Sequence, residues 1–148
     1  MKHTDDARDA TPDVRGVVGR LVAATNAHDM DALVACFDND YVNETPAHPL
    51  RGFHGPAQVR QNWTAIFAGV PDISVRVTAS ARQGNEVWSE WRMDGTRRDG
   101  ARHAMAGVII FSVIDALISS ARFYLEPVET TTGDVSAAIE HALTEPAS

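Results

Sequence analysis

The hydrophobic period of this chain changes at Asp72. Before it, apolar residues recur every three to four positions; after it, Ile73, Val75 and Val77 alternate with Ser74, Arg76 and Thr78. A period near 3.6 buries one stripe of a helix and a period of two buries one face of a strand, so helices precede a sheet instead of alternating with its strands. That order predicts an α+β domain with its helices on one face of a sheet. Gln83-Gly84-Asn85 turns the first strand back, and three more strand candidates follow, Glu86 to Asp94, His103 to Val113 and Leu117 to Glu126. The polar run Gly95-Thr96-Arg97-Arg98-Asp99-Gly100 separates the first two of these, which makes the sheet an antiparallel meander. The turn at Asp115-Ala116 is chemically weak, because neither residue favours positive backbone angles as glycine does.

Upstream, Thr11 is placed to cap a helix that accepts Pro12 and Asp13 in its first turn and carries Val14, Val17, Val18, Leu21 and Val22 on one face. Asn26-Ala27-His28 interrupts it, and Asp29 caps a second helix with Met30, Leu33, Val34 and Phe37. Tyr41 to Glu44 is a short strand-like segment leading into the loop Thr45 to Gly52. Gly55-Pro56 opens a third helix whose apolar side, Val59, Trp63, Ile66, Phe67 and Val70, is bulky and aromatic; Gly69 and Pro71 end it. Residues 1–11 read as a disordered leader, 12–128 as the domain, and 129–148 as a tail in which Asp134 caps a short amphipathic helix. The expected shape is a cone: a curved antiparallel sheet with three N-terminal helices packed in its concavity around an apolar pocket.

Composition narrows the function classes. At 148 residues the chain suits a single core. A formal charge of -7 and scattered arginines argue against a nucleic-acid partner. The single cysteine, Cys36, excludes an internal disulfide and a thiolate zinc cluster. No apolar run approaches the ~18 residues of a membrane span and no signal peptide opens the chain, so no membrane is expected and the expected location is cytoplasmic.

Three stretches resemble the nuclear-transport-factor-two-like superfamily, and within it the SnoaL-like polyketide cyclases and the limonene-epoxide-hydrolase relatives. They are Asn26-Ala27-His28-Asp29-Met30-Asp31-Ala32-Leu33 with Cys36-Phe37, then Gly52-Phe53-His54-Gly55-Pro56-Ala57, and the four strands ending Arg122-Phe123-Tyr124-Leu125-Glu126-Pro127. They identify a fold that hosts several chemistries, so function rests on the site.

Side chains alternate along a strand, so Trp88, Glu90, Arg92 and Asp94 share one face and Val87, Ser89, Trp91 and Met93 the other. Period alone does not choose which face lines a cavity. The epoxide-hydrolase relatives carry Arg-x-Asp here and Tyr-x-Asn on the short strand, and Arg92-Met93-Asp94 and Tyr41-Val42-Asn43 match both. The resemblance implies an inward Asp94 as general acid, Arg92 orienting it, and Tyr41 with Asn43 holding a water. The second carboxylate of those relatives falls at Phe123. Glu90, about 7 Å from its same-face neighbour, is a substitute of different geometry. His103 is a further candidate base. Trp63, Phe67, Trp88, Met105 and Phe123 are expected to form an apolar wall. No metal site or cofactor is expected, because the histidines lack ligand spacing.

Two functions follow: a cofactor-independent acid/base enzyme, hydrolase, isomerase or cyclase, acting on a small hydrophobic molecule such as a polyketide or terpenoid; or a binding protein using the same pocket without turnover. If the polar set faces inward, the outer face carries Val87, Trp91 and Met93, with Ala104, Ala106, Val108 and Ile110 beside them. Such a face, and the resemblance, imply a homodimer; with the opposite parity the outer face is charged and a monomer is expected.

Overall fold

The computed structural model describes residues 16–131 and 133–144. The expected leader, the Thr11 cap and Val14 lie outside them. In chain order the elements are α1 (Val17–Asn26), α2 (Met30–Val34), β1 (Phe37–Glu44), a 3-10 turn at Pro49–Arg51, β2 (Phe53–His54), α3 (Pro56–Gly69), β3 (Ser74–Gln83), β4 (Glu86–Thr96), β5 (Arg102–Ile114), β6 (Leu117–Pro127) and α4 (Val135–Thr144).

The helix–helix link follows from local chemistry. α1 ends in a Schellman arrangement, in which Asp29 N–H donates to Ala24 O and His28 N–H to Thr25 O, with His28 left-handed at φ 54°. Asn26 then clamps strand β3, donating to Val75 O at 3.0 Å and accepting from Val75 N–H at 2.7 Å. Asp29 accepts from Ala32 N–H and caps α2. The Asn26-to-Asp29 motif is therefore a fastener between the helical layer and the sheet edge.

The meander β3 to β6 forms as expected, with Gln83 paired to Glu86 around Gly84-Asn85 and Ile114 paired to Leu117 around Asp115-Ala116. That last turn is a tight two-residue hairpin with both central residues at positive φ, 54° and 64°. Arg20 holds it by donating to Ala116 O at 2.9 Å, a tertiary contact that offsets part of the backbone strain.

The sheet is larger than the meander. β1 pairs in parallel with β6, and β2 adds antiparallel to β1, giving the order β2-β1-β6-β5-β4-β3. The expectation of a purely antiparallel sheet is corrected to a mixed one, and a fourth helix, α4, joins the three upstream. Register shifts at Val77/Ala79 and Ser112/Val113 add bends to the sheet. Gly107 admits another: a Cβ there would lie 2.0 Å from Tyr124 O, so only glycine permits that approach.

The core lies between the helices and the concave face. Val17, Val18, Leu21 and Ala24 of α1, Leu33 of α2 and Val59 of α3 meet Val75, Val77, Val87, Trp91, Met93, Ile109, Phe111 and Ala121 of the sheet. α4 is capped as expected, Asp134 accepting from Ala137 N–H, and its Val135, Ile139 and Leu143 are exposed.

Candidate functional site

The concave face holds few polar side chains, and most are already satisfied. Trp91 Nε1–H donates to Ser89 Oγ at 2.8 Å, and Ser89 Oγ–H donates to Ile109 O at 2.7 Å, which closes that chain. Thr25 donates to Leu21 O within its own helix.

Tyr41 and Asn43 differ. Both are buried on the same face of β1, and Tyr41 Oη–H donates to Asn43 Oδ1 at 2.7 Å. Phe37 and Phe53 meet the Tyr41 ring edge-on, with centroids 4.7 and 6.0 Å away. The Gly52-to-Ala57 motif builds this wall. Phe53-His54 pairs with Val42-Asn43, Gly55 turns at φ 87° and donates to Tyr41 O at 2.7 Å, and Pro56 starts α3. Burial pushes the Tyr41 phenol well above its ordinary range, so at neutral pH it is a donor and not a base. Among the described residues the Asn43 amide nitrogen has no acceptor, which leaves its N–H groups for a guest.

Beside this pair, Phe53 and Phe123 keep partial access to solvent. Trp63 and Phe67 of α3, Met105 of β5 and Leu125 also pack against the core without being fully covered, Met105 six residues along β5 from the level of Asn43. Asn43 is the cross-strand partner of Ala121, which makes Phe123 its diagonal neighbour on the concave face. Phe67 stacks on His28 at 4.4 Å and touches Trp63 at 5.4 Å, and His28 Nε2 is hydrogen-bonded to Ile73 O. His28 is thus a packing residue.

The β4 set is oriented the other way. Val87, Ser89, Trp91 and Met93 are buried toward the helices, whereas Glu90 is exposed, Arg92 and Asp94 are part-exposed, and Trp88 keeps 42% of its surface. Inward orientation of Trp88, Glu90, Arg92 and Asp94 is therefore corrected. Helices cover one face only, and that face takes Val87, Trp91 and Met93 because burying three charged side chains would cost far more than their apolar area returns. Asp94 accepts from Arg102 at 2.8 Å and has Arg76 at 3.9 Å. Arg92, expected to orient it, makes neither contact, and its buried Nε has no partner. Glu90 accepts from Thr78 at 2.9 Å. The structure brings Tyr41 and Asn43 together and sets Asp94, Arg92 and Glu90 on the opposite face. Correspondingly, Val87, Trp91 and Met93 do not form an outer patch, while Ala104, Ala106, Val108 and Ile110 do lie on that side, opposite Asp94, Arg92, Glu90 and Trp88.

His103 keeps the concave parity of Met105 and lines a groove of about 490 Å³ with Ala65, Ile66, Gly69, Val70, Arg97, Arg98 and Asp99. The groove was not legible in the sequence beyond His103, because Arg97-Arg98-Asp99 reads as a hairpin turn and only folding brings it to α3. Cys36 is buried and donates to Ala32 O; burial pushes its thiol up, as expected for an inert residue. Among the described residues no three His, Cys, Asp or Glu side chains converge on a common point suited to a metal ion. None of the described helices is long and apolar enough to cross a membrane.

A family model described as a SnoaL-like domain matches residues 18–121. Among solved structures, an LEH-like epoxide hydrolase from Mycobacterium tuberculosis is similar at 18% identity and TM-score 0.64, covering 95% of this chain and 90% of that one. A protein of ketosteroid isomerase-like fold from Catenulispora acidiphila, in complex with trimethylamine, aligns at 18% identity and TM-score 0.65 over 86% and 92% of the two chains. RV0760c from Mycobacterium tuberculosis, in complex with estradiol-17β-hemisuccinate, aligns at 17% identity and TM-score 0.63 over 82% and 93%. At these identities the likeness establishes the cone fold. No curated protein is significantly similar in sequence.

Proposed function

This chain belongs to the SnoaL-like domain family, and from that premise we propose that it binds a small, mainly apolar organic molecule between α3 and the concave sheet face, without carboxylate acid/base turnover. The observation that carries this is the Tyr41–Asn43 pair. It is a buried polar pair on the concave face whose Asn43 amide keeps its donors, set beside Phe53 and Phe123. Sites for small molecules share this composition, a mostly hydrophobic lining with a few fixed polar groups. The guest would place a carbonyl, ether or hydroxyl oxygen against Asn43 Nδ2.

The enzymatic alternative, an acid/base hydrolase, isomerase or cyclase with Asp94 and Arg92 as its proton machinery and Glu90 or His103 as a base, needs carboxylates in the same cavity. Asp94 and Glu90 point away from it and are engaged by Arg102 and Thr78. Phe123 stands where the epoxide-hydrolase relatives keep a base.

We test this with estradiol-17β-hemisuccinate, the ligand of RV0760c, as the probe. Calorimetric titration should show binding with a component that Asn43→Ala weakens about 3–10-fold, the loss of one hydrogen bond. Phe123→Asp should weaken it further by placing a charge in the apolar wall. Hydrolysis of a terpene epoxide that disappears in Asn43→Ala or Asp94→Asn would overturn the binding assignment in favour of the enzyme.

For assembly, we place a homodimer surface on the convex face. There Trp88 and Tyr124 are each 42% exposed, beside Val108, Ala104 and Ala106.

A further inference from the structure

We propose that the groove between the C-terminal half of α3 and the β4–β5 turn is a second binding site, built for an amphipathic monocarboxylate. It is lined by none of the residues around Tyr41 and Asn43, so it stands or falls separately from the cleft described above.

The apolar half of the site is a fixed floor. Ala65, Ile66, Gly69 and Val70 lie along the last turns of α3. Val70 is seated against bare backbone at the end of β4, where a Cβ on Gly95 would come within 2.4 Å of Val70 Cγ1. That contact anchors the helix end and keeps the floor from collapsing into the sheet. Gly69 faces open space, with no heavy atom within 4 Å of where its Cβ would be. A volume of about 490 Å³ lies within the range of small-molecule sites.

Charge supplies the specificity. Arg97 and Asp99 pair with each other, and Asp99 also accepts from Ala101 N–H at 3.0 Å, so these two cancel. The backbone donor at Ala101 and the Arg97 guanidinium hold the Asp99 carboxyl below its usual range, which keeps it ionised and spent. Arg98 is different. Its Nε–H donates to Ala68 O, the carbonyl at the end of α3, at 2.6 Å. That bond fixes the guanidinium plane at the groove rim, and among the described residues no carboxylate pairs with it. Its remaining N–H groups are a fork that matches a planar carboxylate. His103, also in the lining, adds a ring nitrogen. One unspent cation beside an ionised Asp99 favours a monoanion over a doubly charged phosphate. In a chain of net charge -7, an anion that binds here does so against the overall field.

The test is a titration of the full chain with decanoate and with decanol, followed by backbone amide NMR. Decanoate should shift the amides of Ala65, Gly69, Arg98 and His103 and bind at least about fivefold more tightly than decanol. Arg98→Gln should reduce decanoate to the affinity of decanol. Because that change also removes a contact to α3, Gly69→Leu is the second variant. It fills the groove from an open position and should abolish the decanoate-induced shifts at Ala65, Arg98 and His103 while leaving the melting temperature unchanged or raised. Asn43→Ala should leave those shifts in place. Equal binding of the two probes, shifts confined to Tyr41 and Asn43, no binding by decanoate, or decanoate binding unaffected by Gly69→Leu would each overturn the site.

Discussion

Trp88 and Trp91 stand three residues apart on β4 and occupy different solvents. Trp91 is 2% exposed, with its indole N–H bonded to Ser89 and its ring 6.0 Å from Phe111. Trp88 lies over the convex face at 42% exposure. The difference teaches that residue type does not assign a face; the helices do. Wherever they cover the sheet, aromatic area and satisfied hydroxyls are drawn in, and the charges at Glu90, Arg92 and Asp94 are left beside Trp88.

The contrast breaks first at Trp91. Trp91→Ala should destabilise the fold by about 3–5 kcal/mol, the cost of a cavity in a packed core, measured by urea denaturation. A loss below about 1 kcal/mol would mean the concave face is not the core. Ser89→Ala removes the acceptor of the Trp91 N–H and strands a buried donor, and about 1–3 kcal/mol should be lost in the same assay. Ala116→Gly is the face-independent control. It relieves a left-handed alanine in the β5–β6 hairpin, and differential scanning calorimetry should show a gain of about 0.4–1 kcal/mol. Smallest in stability is Trp88→Ala, within about 0.5 kcal/mol of the parent. Its readout is mass: sedimentation equilibrium at micromolar concentration should report a dimer for the parent and a shift toward monomer for Trp88→Glu. A parent that sediments as a monomer sinks the convex interface and leaves the concave assignment intact.

Much of the fold was legible because it is written locally. The alternation from Ile73 onward, the glycine in the β3–β4 turn, Pro56 after Gly55 and the caps at Asp29 and Asp134 each act within a few residues, and each element formed where those signals put it. Tyr41 and Asn43 were legible as a pair for the same reason, since i and i+2 on a strand share a face whichever way it points. The parallel pairing of β1 with β6 was not legible. It joins Asn43 to Ala121 across the chain, with a register shift between Phe37 and Val42, and no local pattern encodes such a partner.

By itself, then, the sequence determined most of the helices and strands, their turns and which residues travel together on a face, because periodicity and capping are properties of neighbouring residues; Phe37, expected on the second helix, instead opens β1, and Phe53-His54 adds a strand that no local pattern announced. Only the tertiary structure decided that Trp91 faces the helices and Asp94 the other side, that the chemically weak Asp115-Ala116 turn is held by Arg20, and that Arg98 meets the end of α3. Those outcomes depend on which layer of the fold covers which face, and the free energy that selects among them is the burial of distant surfaces against one another, a quantity no window of sequence contains.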